Sequence, residues 1–83
     1  MDGKETLTVD VREDIRAGRE PFGRIMAAVA SLRDGQSLTL INVFEPVPLY
    51  DVMAERGFAH DTQRTPGGDW QIRFYRASEA AHP

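Results

Sequence analysis

Residues 37–50, Ser37-Leu38-Thr39-Leu40-Ile41-Asn42-Val43-Phe44-Glu45-Pro46-Val47-Pro48-Leu49-Tyr50, change character halfway. The first eight, SLTLINVF, read as a strand, and their second half is almost continuously apolar. A strand with one wet face alternates apolar and polar positions. A run without alternation fits a strand covered on both sides, as in the middle of a parallel sheet. Glu45-Pro46-Val47-Pro48 follows, and each proline drives the residue before it into extended backbone, so this is a stiff connector. Pro48 suits a first helical turn, where its missing N–H would have had no partner, and it opens a helix over Leu49–Arg56. Leu49, Val52 and Met53 face inward there, and Gly57 caps the end.

Upstream, Leu7-Thr8-Val9-Asp10-Val11 alternates in the manner of a half-buried strand. Arg12–Glu20 reads as a charged loop containing Gly18. Pro21 then opens a helix in which Phe22, Ile25, Met26, Val29 and Leu32 form one apolar stripe, and Gly35 supplies its stop. Downstream, Phe58–Arg64 is a more polar third strand. Thr65-Pro66-Gly67-Gly68-Asp69 is a turn. In a fourth strand Trp70, Ile72 and Phe74 alternate with Gln71, Arg73 and Tyr75. The last two strands form a hairpin because five residues are too few for a crossover.

The order β-α-β-α-β-β predicts an α/β two-layer sandwich: a four-stranded mixed sheet with two helices on one face. Thr8, Asp10, Thr39, Gln71, Arg73 and Tyr75 are expected on the other, open face. Residues 1–6 and 77–83 are expected as flexible tails around a single domain over 7–76.

At 83 residues, one core buries about 60% of the unfolded surface. The chain has no cysteine, which excludes disulfides, thiolate metal ligands, a cysteine nucleophile and a persulfide carried by the chain itself. The polar N-terminal stretch does not resemble a signal peptide, and no run approaches the ~20 apolar residues of a membrane span, so a cytoplasmic location without membrane contact is expected. A net charge of −3 argues against nucleic acid or an anionic bilayer as partner.

Two blocks resemble known families. Leu7-Thr8-Val9-Asp10-Val11-Arg12 followed by Arg19-Glu20-Pro21 resembles the opening of the TusA/SirA-like sulfur carriers, where an L-D-x-R-G strand end leads to C-P-x-P at the first helix. Leu40–Tyr50 is similar to the domain of unknown function 2249 family, a relative of TusA with a pattern close to V-N-D-H-D-P-x-P-L. Trp70–Arg76 also fits that family's last strand. The resemblance covers residues 7–76 and implies the same sheet and helices. In that comparison Gly18 stands where the sulfur-carrying cysteine would be, so the resemblance implies loss of persulfide transfer. Phe44 stands where relatives often have histidine, which removes a metal or haem ligand at that position.

The loops after the first two strands lie at one edge of a parallel pair, the customary place for a ligand in open α/β sheets. Arg12, Arg16, Arg19 and Glu20 in the first loop and Asn42 and Glu45 in the second are therefore the candidate ligand- or partner-binding residues. The three arginines can complete an anion site with the helix N-termini, or neutralise Glu13, Asp14 and Glu20 in a solvated loop. Asn42 and Glu45 can orient a polar ligand or cap backbone groups. His60 has no convergent partners for a metal. Tyr50 and Trp70 suit semi-buried packing or an aromatic contact.

No cofactor motif and no catalytic set is present. The expected function is a non-catalytic module that binds a protein partner through the open sheet face or the arginine-rich loop. The resemblance implies a bacterial redox or respiratory setting. The alternative is a carrier of a small molecule or anion. A second copy can pair along the hairpin edge, against the discouragement of Arg64, Arg73 and Arg76.

Overall fold

The computed structural model describes residues 6–77. Its elements are β1 (Thr6–Asp10), α1 (Arg12–Arg16), α2 (Phe22–Ala30), β2 (Ser37–Asn42), α3 (Val47–Glu55), β3 (Phe58–Arg64) and β4 (Trp70–Arg76). The sheet order is β1-β2-β4-β3. β1 runs parallel to β2, and β4 is antiparallel to both β2 and β3. The expected mixed four-stranded sheet in a two-layer α/β sandwich is present.

Register assigns the two faces. Leu7 pairs with Leu38, Val9 with Leu40, Leu40 with Ile72, and Leu38 with Phe74. These residues share a face because side chains alternate along each strand. Ile25 and Val29 of α2 and Leu49 and Met53 of α3 complete the core over them. Helix α2 lies over β1 and helix α3 over β3. The i, i+4 spacing of each helical pair places both members on one side of their helix. Leu38, Leu40, Ile72, Phe74 and Met53 are wholly buried. Thr6, Thr8, Thr39, Arg73 and Tyr75 occupy the opposite face, where the Thr6 and Thr39 hydroxyls hydrogen-bond at 2.7 Å and the Arg73 guanidinium sits 4.9 Å over the Tyr75 ring.

The structure corrects the sequence reading in three places. Arg12–Glu20 is not all loop: its first five residues form α1, giving three helices rather than two. Three local features account for this helix. Asp10 Oδ1 accepts the Arg12 N–H at 3.1 Å, Glu13 and Asp14 sit in the first turn, where acidic groups favour the helix dipole, and Ile15 packs against the core. Gly18, at φ +78°, lets the chain turn out of it. The second strand stops at Asn42, not Phe44, because Asn42 Oδ1 takes the Val43 N–H at 2.7 Å and the ladder ends there. The third helix starts at Val47, a residue before Pro48.

Pairing extends slightly past 7–76. Thr6 pairs with Ser37, and the Ala77 N–H donates to Gly57 O at 2.8 Å. The remaining expected tail positions, 1–5 and 78–83, lie outside the described residues.

Candidate functional site

β1 and β2 deliver the chain to the same edge of the sheet, and α1, α2 and α3 all begin there. Between their first turns lies a cleft of about 250 Å³. Helix α1 contributes Ile15, α2 contributes Phe22 and Ile25, and α3 contributes Pro48, Leu49 and Val52. Pro21, Phe44 and Pro46 close it from the connectors, and Glu20 and Asn42 are its two polar residues. Phe22 and Ile25, three apart, and Pro48 and Val52, four apart, present continuous apolar edges from their helices.

Phe22 is 44% exposed, Phe44 46% and Val47 55%, and these are the large hydrophobic residues exposed among the described residues. Phe22 and Phe44 line the cleft, and Val47 stands between Pro46 and Pro48, which also line it. Clustering is the informative point, because scattered exposed apolar residues are ordinary.

The six residues singled out in the sequence divide into two groups. Glu20 and Asn42 line the cleft, and Glu45 lies between two residues that do. Glu20 Oε2 accepts the Phe22 N–H at 3.2 Å, capping α2. Glu45 Oε2 accepts the Tyr50 hydroxyl at 3.1 Å, and that hydroxyl also meets Thr62 Oγ1 at 2.7 Å. This ties the connector to α3 and β3. Burial, more than these contacts, holds the Tyr50 phenol above its ordinary value. Asn42 is only 3% exposed. Its Oδ1 is used by Val43, while its Nδ2 donates to no group among the described residues and opens to the cleft.

Arg12 and Arg19 are engaged in ion pairs, and neither they nor Arg16 lines the cleft. Arg12 holds Asp10 at 2.8 Å and Asp69 at 2.6 Å, joining the end of β1 to the β3–β4 turn. Arg19 holds Asp14 at 3.0 Å, and Arg24 pairs with the same carboxylate and with Asp10 O. Arg16 makes no ion pair among the described residues. Backbone donors at the start of α3 are similarly used. Pro46 and Pro48 have no N–H, the Val47 N–H goes to Glu45 O, and the Leu49 N–H goes to Pro46 O.

The Arg12 hydrogen bond holds the Asp10 carboxyl below its ordinary value. At Asp14, burial pulls upward, and the Arg19 and Arg24 guanidiniums together outweigh it, leaving that carboxyl low as well. A depressed carboxyl stabilises the fold above the unfolded value of about 3.9, and that contribution is lost as pH falls through it. Urea midpoints are therefore expected to hold from neutral pH down to about 5 and to fall below about 4. Arg12→Ala should lower the neutral midpoint and flatten this acid limb. An unchanged limb would show that the Asp10–Arg12–Asp69 link adds nothing to stability.

Sequence reasoning overlooked Phe22, Phe44, Pro48 and Val52 as site residues. The available signal was Phe44, an aromatic residue in a connector where polar residues are the rule. No group of three or more His, Asp or Glu residues able to hold a metal ion occurs among the described residues, and no helix among them is long and apolar enough to cross a membrane. Against known proteins, residues 8–76 match the model of an uncharacterised conserved protein family, DUF2249. No curated protein and no solved structure matches.

Proposed function

The chain belongs to the uncharacterised DUF2249 family, and on that premise we propose that it is a non-catalytic module that docks a protein partner in the cleft at the carboxyl ends of β1 and β2. The observation that carries this reading is the placing of the exposed Phe22 and Phe44 on the walls of one preformed apolar recess. Protein interfaces draw most of their energy from a few large side chains seated in such recesses. Small-molecule sites commonly span about 300–1,000 Å³. A cleft of about 250 Å³ is better matched to one or two inserted side chains than to a cofactor. A small-anion carrier in the cleft would need cationic side chains there, but no arginine lines it, and Arg12 and Arg19 are held by Asp10, Asp69 and Asp14.

The resemblance to sulfur-carrier domains supports an accessory role beside redox or respiratory proteins in a bacterial cytoplasm. Sulfur transfer through the chain itself has no support, since it holds no cysteine.

A photo-crosslinking amino acid placed at Phe44, and separately at Arg73 on the open sheet face, tests the docking site in the host cell. The expected result is a discrete adduct from position 44 that disappears with Val52→Glu, and none from position 73. Adducts from position 73 alone would move the interface to the open face.

A further inference from the structure

The cleft carries three chemical features, and together they describe its occupant. Its walls are apolar. Asn42 lines it, and its Nδ2, open to the cleft, donates to no group among the described residues. Glu20 also lines the cleft, and its carboxylate receives only the neutral Phe22 N–H and forms no ion pair among the described residues. The Glu45 carboxylate, by contrast, is taken by the Tyr50 hydroxyl. No cationic side chain lines the cleft.

We propose that the cleft binds a peptide segment of its partner in which one large apolar side chain is flanked by a lysine or arginine. The apolar side chain fills the recess, a main-chain carbonyl of the segment accepts from Asn42 Nδ2, and the cation meets Glu20. This rests on the docking function proposed above and narrows it to one chemistry. A fatty-acid carboxylate or an anionic lipid headgroup would bring negative charge against Glu20 and fits poorly. Residues 1–5 and 78–83 supply no large apolar side chain except Met1, so the segment comes from outside this sequence. Opposite charges at a rim act mainly on association rate and discrimination, and salt weakens them.

The test uses three acetylated, amidated heptapeptides, titrated into the full chain at low and at high salt. One has a central phenylalanine flanked by lysines, the second the same centre flanked by glutamates, and the third a central alanine flanked by lysines. The lysine-flanked phenylalanine peptide should bind about tenfold more tightly than its glutamate counterpart at low salt, and salt should shrink the difference. The alanine peptide should bind weakest. Glu20→Gln keeps an acceptor oxygen for the Phe22 N–H while the charge goes. That variant should erase the preference for lysine over glutamate. Phe44→Ser should weaken both phenylalanine peptides. Equal binding of the lysine and glutamate peptides, with Phe44→Ser still weakening both, would overturn the charge assignment and leave the docking site standing. Indifference of all three peptides to Phe44→Ser, or no binding by any of them, would overturn both.

Discussion

Phe74→Ala should cost about 3–5 kcal/mol of unfolding free energy, the usual range for truncating a buried phenylalanine. The ring is wholly buried. It lies opposite Leu38 in the register and 6.4 Å from the Tyr50 ring, centroid to centroid. It therefore touches both the central parallel strand and the helix that forms one wall of the cleft. Small domains hold about 5–15 kcal/mol in total, with chains of this length toward the lower end. A loss of this size leaves a substantial unfolded fraction at physiological temperature. Urea denaturation followed by circular dichroism gives the value directly. Tyr75→Ala, one residue along and on the open face, should cost about 1 kcal/mol or less by comparison. Equal losses at 74 and 75 would mean that the helices do not cover the face assigned to them.

The second large effect concerns binding rather than stability. Phe22→Ser, Phe44→Ser and Val47→Ser together should reduce affinity for the docked partner by about a hundredfold, since three anchors at about 1 kcal/mol each amount to roughly two powers of ten. The urea midpoint should stay where it is, because all three side chains are half exposed in the free protein and the core contacts neither gain nor lose a member. Full affinity in the triple variant would remove the cleft from the interface. A collapse of stability would show that these residues serve the fold instead.

The strands and their faces were readable because alternation follows directly from which sides are covered. Leu38-Thr39-Leu40 alternates and puts both leucines on the covered face, whereas Val43 and Phe44, the end of the apolar run that suggested a strand covered on both sides, lie beyond the strand. Trp70–Arg76 alternates and has one covered face. The hairpin followed from a five-residue turn, whatever the side chains. Helix α1 was hidden because only Ile15 in Arg12–Arg16 carries an apolar signal; Arg12 is held by Asp10, its near neighbour, and by Asp69, far along the chain. The edge of the sheet where a site would lie was also legible, from the parallel direction of β1 and β2. The cleft was not. It arises where the first turns of three helices meet, and sequence spacing within one helix says nothing about the gap between two. The same limit explains the arginines: Arg12 and Arg19 stand close to carboxylates along the chain, but their pairing depends on geometry.

The most direct test of the cleft as docking site is a nitrogen-15 amide spectrum of the labelled protein, recorded with and without the partner recovered by crosslinking at position 44. Perturbation should concentrate at Phe22, Val43, Phe44, Val47 and Val52, with Thr8, Thr39, Arg73 and Tyr75 unmoved. Shifts confined to the open sheet face, with the cleft amides unchanged, would contradict it.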